Sequence, residues 1–140
     1  MRKAIARRHL FAVAVTGLAL VCFSPTIVQA QWRMTAHMPF DFYVGQQKMP
    51  AGSYVISRPR NDLVQLEDGN KHGTIALSNG IDNKVPPADG KLVFHRYGDT
   101  YFLSEVRWMG TNIGRQLMTS KLELRIARNV ALEKIVATTK

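Results

Sequence analysis

His95, Arg96, Asp99 and Glu105 fall within one short segment, KLVFHRYGDTYFLSEV at 91–106, and residues of these types build acid–base sites. A histidine beside a carboxylate can hold and pass a proton, and Asp99 with Glu105 would form a paired acid. A plainer reading competes. Asp99 lies in Tyr97-Gly98-Asp99-Thr100, where a turn favours it, and Glu105 reads as solvent-exposed. His37, His72 and His95 are 35 and 23 residues apart, which is the spacing of no local metal motif. Asp68-Gly69-Asn70 resembles the start of a calcium loop but lacks the later ligands and the closing glutamate. There is no Gly-x-Ser-x-Gly, and the sole cysteine, Cys22, lies near the N-terminus. The pattern assigns no catalytic residue, no metal ligand and no cofactor.

Binding chemistry has better candidates. Tyr43, Tyr54, Tyr97, Tyr101, Trp32 and Trp108 offer aromatic faces with polar tips, as a sugar or apolar ligand site would, although the core of a small β domain uses the same residues. Tyr97, Tyr101 and Trp108 lead this set. Lys121, Arg125 and Arg128 form a second group, placed to meet an anionic surface or an acidic partner.

These residues are carried by elements that the sequence marks. Residues 38–44, MPFDFYV, alternate, with Met38, Phe40, Phe42 and Val44 on one face, so a half-buried strand is expected. GQQKMPAG breaks the pattern, with a turn over Met49–Gly52, and SYVIS at 53–57 resumes it. Residues 62–78 form a hairpin with a Gly69-Asn70 tip, which sets Gln65 opposite Thr74, Val64 opposite Ile75 and His72 opposite Glu67. Residues 79–90, rich in Gly, Pro, Asn and Asp, are expected to be a long connection.

The 91–108 stretch is then a second hairpin. Its Gly98-Asp99 tip pairs Tyr97 with Thr100, Arg96 with Tyr101, His95 with Phe102 and Phe94 with Leu103. Strict alternation puts Leu92, Phe94, Leu103 and Glu105 on one face, and Val93, His95, Phe102, Val106 and Trp108 on the other. Both faces are substantially apolar, so a sheet must cover one and a helix or loop the other. The candidate cover is SKLELRIARNV at 120–130. It opens with the capping-box pair Ser120 and Glu123 and carries Leu122, Ile126 and Val130 as an apolar stripe over about three turns. EKIVATT at 133–139 leans toward a final strand.

The N-terminal thirty residues stand apart. Arg2, Lys3, Arg7 and Arg8 precede an apolar run from Leu10 to Phe23, and Val28 and Ala30 occupy the small-residue positions of a cleavage site. This is a secretory signal peptide, shorter than the ~20 residues of a spanning helix. RRHLF resembles a twin-arginine signal but has Ala6 where Ser or Thr would precede the pair. ALVC has a bulky Val21 where a lipoprotein box needs a small residue. The expected mature domain, residues 31–140, is one β-rich unit without cysteine, and its net charge falls from +9 to +5. A periplasmic or extracellular location and the lack of any basic-aromatic recognition motif argue against nucleic acid as a partner.

MPFDFYVGQQKMPAGSYVI, LVFHRYGDTYFLSEV and GRQLMTSKLELRIAR together resemble an uncharacterised family of small exported bacterial β-domain proteins. In that family Pro-Phe-x-Phe-x-Val-Gly leads to Pro-Ala-Gly-x-Tyr and then to Leu-Val-Phe-x-Arg-Tyr-Gly-Asp. The resemblance covers most of residues 38–128, with Met118 departing where a proline is expected. It implies an exported β domain and carries no activity with it.

The expected fold is mainly β, an antiparallel sandwich or partly open barrel of six to seven strands, with one amphipathic helix near the C-terminus and no transmembrane helix in the mature chain. The expected role is a bacterial, non-catalytic binding or interaction module of the cell envelope, whose partner is an envelope protein or an anionic surface. The alternative is a small barrel that binds an apolar or carbohydrate ligand among its Tyr and Trp side chains.

Overall fold

The computed structural model describes residues 32–139, so the export leader read over 1–30 lies outside the described residues. Within them the chain is mainly β with one helix. The strands are β1 (Arg33–Met38), β2 (Phe42–Val44), β3 (Gln47–Met49), β4 (Gly52–Ser57), β5 (Leu63–Glu67), β6 (Gly73–Asp82), β7 (Gly90–Tyr97), β8 (Thr100–Arg107), β9 (Ile113–Leu117) and β10 (Glu133–Thr139). The helix, α1, spans Lys121–Ala127.

There are ten strands where six to seven were expected, because short and weakly apolar segments also pair. In β1 the inward side is only Met34, Ala36 and Met38. The break expected at GQQKMPAG contains β3, which folds back on β2 around Gly45, whose φ of 62° suits a tight tip. Residues 38–44 are two strands rather than one, interrupted at 39–41. Their facing nevertheless holds, since Met38, Phe42 and Val44 are in the core and Phe40 packs against it.

The sheet runs β1-β4-β5-β6-β9-β8. Beyond β8 it continues through β7 to β10, while β2 and β3 attach to β8 near Phe102. The sheet coils around one apolar cluster to which β1 to β5 and β7 to β9 each give buried side chains. Phe42, Phe94, Ile56, Val64, Leu66, Leu92 and Val106 are almost fully buried within it. Its two ends approach where Thr139 Oγ1 meets Met34 Sδ at 3.6 Å, yet β1 and β10 form no ladder and the sheet stays open.

Hairpin geometry follows local chemistry. At 63–77 the register is Gln65↔Ile75 and Leu66↔Thr74, one residue away from the expected pairing. The loop takes a third residue because Lys71 adopts φ 62° after a turn closed by its N–H to the Asp68 carbonyl. The Asp68 carboxylate accepts from the Asn70 and His72 N–H groups at 2.8 and 2.9 Å and holds this loop. Residues 79–82, expected in a connection, instead extend β6 and pair with β9.

The β7–β8 hairpin has the expected tip and register from Tyr97↔Thr100 to Phe94↔Leu103. A bulge at Ser104 then shifts the pairing to Val93↔Glu105 and Leu92↔Val106. Strict alternation therefore fails past Leu103. Val106 and Trp108 turn into the core, and Glu105 moves to the outer face beside Val93.

Gly90 stands at the open seam, where an added Cβ would lie 2.8 Å from Met34 Sδ and closer still to Thr139 Oγ1. Gly90→Ala is expected to lower stability by about 1–3 kcal/mol through overpacking, read as an earlier midpoint in urea. An unchanged midpoint would show that β1 and β10 do not press on each other there.

Candidate functional site

The outer face of β7 and β8 places His95 and Tyr97 two residues apart on one strand and Phe102 across from His95. Tyr43 of β2 stacks on Phe102 with ring centroids 5.2 Å apart, and Tyr97 meets Phe102 edge-on at 6.0 Å. This aromatic surface is covered by α1. The helix starts as its cap predicts, with Ser120 Oγ accepting from the Glu123 N–H at 3.1 Å. The return bond of a capping box is replaced by something longer in range. The Glu123 side chain, only 5% exposed, turns to the sheet, where Oε1 accepts from His95 Nδ1 at 2.7 Å and from the Tyr97 hydroxyl at 3.3 Å.

Four expectations are corrected here. His95 does not merely pack beside Phe102, since it pairs with an acid 28 residues downstream. His72 does not pair with Glu67; it lies 3.6 Å from Asp68, because the added loop residue moves it out of register. Glu105, expected in solvent, is buried and held by Arg107 Nε at 3.0 Å. The helix is also shorter than expected, about two turns, ending at Ala127. At about 100° per residue, Glu123 falls on the same side as Leu122 and Ile126. That placement was available from the wheel, whereas its partner was not.

A carboxylate bonded to an imidazole can orient a general base. Here the same oxygen also takes a phenol, and the group lies buried where the helix meets the sheet. Among the described residues no Ser or Thr hydroxyl bonds to His95, and no three His, Asp or Glu side chains gather as a metal site. The arrangement anchors α1.

The opposite side of α1 gathers Lys121, Leu124, Arg125 and Arg128, all exposed, with Leu124 at 54%. Val130 and Leu132, exposed as well, follow directly in the chain. The three predicted basic residues are thus brought together on one surface. The predicted aromatics are not. Tyr97 is beneath α1, Tyr101 stacks on Phe40 at 4.0 Å under Arg96, and Trp108 is buried in the core against Trp32. A groove of about 430 Å³ lined by Gln65, Glu67, Lys71, Gly73, Thr74 and Ile75 lies along the β5–β6 hairpin, away from all of them. Among the described residues no helix is long and apolar enough to cross a membrane.

Comparison with known proteins adds no relative: no family model, curated protein or solved structure matches the chain.

Burial, and then the charge and hydrogen bond of Glu123, hold the Tyr97 phenol above its ordinary pKa of 10.0. Burial does the same for Tyr54, whose hydroxyl donates to the Pro50 carbonyl at 2.7 Å. Below pH 10 both contributions to stability are fully present. Above it the unfolded chain gives up these protons before the native one does, so stability falls as pH rises. Tyr97→Phe is expected to cost about 0.5–1.5 kcal/mol at neutral pH and to flatten the loss measured by urea unfolding as the pH rises above about 10. An alkaline slope identical to wild type would detach Tyr97 from Glu123.

Proposed function

We propose that this protein is an exported, non-catalytic interaction module of the bacterial cell envelope, and that it docks on an anionic surface through the outward side of α1. One observation carries the reading. Lys121, Arg125 and Arg128 share a face with exposed Leu124, while Glu123 on the opposite side ties the helix to the sheet. A rigidly held helix that shows cations around an apolar side chain suits an interface of headgroups and acyl chains. The basic balance of the expected mature chain adds long-range attraction. The alternative, a ligand held among Tyr97, Tyr101 and Trp108, draws less support, because the three stand in different places.

The test is co-sedimentation of protein purified from the exported fraction with phosphatidylglycerol and phosphatidylcholine vesicles. Binding is expected to the anionic vesicles alone and to fade with salt. The Lys121/Arg125/Arg128→Ala variant should bind on the order of 100-fold more weakly, at about 1 kcal/mol per cation. Equal recovery of variant and wild type would remove α1 from the interface.

A further inference from the structure

At the other end of the β7–β8 hairpin, about 20 Å from α1 by strand rise, the charges are arranged differently. Arg115 of β9 points inward, beside Gly80 of β6 and Val106 of β8. Gly80 makes room for it, since a Cβ there would lie 3.2 Å from Arg115 Nη1. Arg115 is only 8% exposed, and a guanidinium stays ionised. Its partners are neutral: Nε donates to Ser78 Oγ at 3.1 Å and Nη2 to the Ser78 carbonyl at 2.5 Å. Arg58, just past β4, is half-buried, with its guanidinium 4.5 Å from the Trp32 ring and 6.0 Å from the Trp108 ring. Those two rings meet edge-on at 6.2 Å.

Among the described residues neither arginine has a carboxylate within ion-pair distance, and the Arg58 guanidinium has no hydrogen-bond acceptor. The indole N–H of Trp108 is fully buried and also lacks one. Asp62, the acid that feels Arg115, is exposed and bound by Arg60 at 3.0 Å. Arg115 faces Val106, two residues before Trp108 on the core side, and the Arg58 guanidinium stands 6.0 Å from the Trp108 ring, so both cations flank the Trp108 end of the sheet. Burial, and then the charge of Arg115, make Arg58 easier to deprotonate. A groove of about 190 Å³ bordered by Arg33, Ser57, Arg58, Pro59, Gln65 and Glu67 opens Arg58 to solvent.

Glu67 at the groove rim is held by Gln65, so two cations and a buried donor are left with no carboxylate paired to them, in a site short of negative charge. We propose that Arg58 and Arg115 bind the oxyanion group of a small ligand, a carboxylate, phosphate or sulfate, beside the Trp32–Trp108 pair. The guanidinium fork matches such oxygens, the indoles exclude water, and their faces offer a wall for the rest of the ligand. The site shares no residue with the α1 surface, so either can fail without the other.

The chain has two tryptophans and therefore two indole N–H resonances. Trp32→Phe assigns them in ¹H–¹⁵N spectra. Sodium phosphate, sulfate and acetate are titrated separately at ionic strength fixed with sodium chloride, and the melting temperature is followed alongside. A saturable shift of the Trp108 resonance and a rise in melting temperature are expected with at least one of the three salts. Response to phosphate and sulfate alone would assign a tetrahedral oxyanion, and response to acetate a carboxylate. Arg58→Gln should weaken the response at least about tenfold, while Lys121/Arg125/Arg128→Ala keeps it. Arg115→Gln is expected to do the same as Arg58→Gln; should it fail to fold, the half-buried Arg58 still gives a readable variant. The proposal falls if no salt gives a saturable shift, or if Arg58→Gln responds like wild type.

Discussion

The carboxylate of Glu123 resolves a conflict built into the outer face of the β7–β8 hairpin. That face carries Val93, Phe102 and the body of Tyr97, so it gains by leaving water. It also carries an imidazole nitrogen and a phenol, which lose by burial unless they find an acceptor. A purely apolar helix would have met the first demand and failed the second. Glu123, between Leu122 and Ile126 on the inner side of α1, meets both with one oxygen. The end of the chain follows from this contact. With α1 held over the hairpin tip, the short link after it returns the backbone to the free edge of β7, where β10 pairs from Glu133↔Arg96 to Thr139↔Gly90.

The inner face of the same hairpin obeys a different constraint. Leu92, Phe94, Leu103 and Val106 must all enter the core, and a regular ladder cannot turn Leu103 and Val106 to one side. The bulge at Ser104 does so by adding one residue. It aims Trp108 at Trp32 and sends Glu105 outward to Arg107. One local irregularity thus shapes both the aromatic end of the sheet and the polar outer face.

Charge is distributed unevenly over this frame. Lys48–Asp41, Arg60–Asp62 and Arg96–Glu133 are ordinary pairs at the surface, and such pairs add little to stability, whereas Arg107 pairs with the buried Glu105. The cations of α1 remain in water, where a lone charge costs little. Those of Arg58, beside tryptophan, and Arg115, on Ser78, are withdrawn from it, and there a charge costs more.

Much of this architecture could be read from local pattern. The Gly98-Asp99 tip, the pairing of the first four residues on each side of it, the Ser120 cap and the final strand all rest on neighbours in the chain, and each is where pattern put it. The misreadings have two physical origins, one local and one long-range. Lys71 takes a left-handed conformation because Asp68 braces its loop, which moves the hairpin by one residue. His95 with Glu123, Arg115 with Ser78 and Trp32 with Trp108 join residues that are far apart along the chain. Periodicity and turn chemistry act over a few residues, so they specify elements and their facings. Which buried polar group meets which partner depends on how the sheet coils, and no window on the sequence contains that.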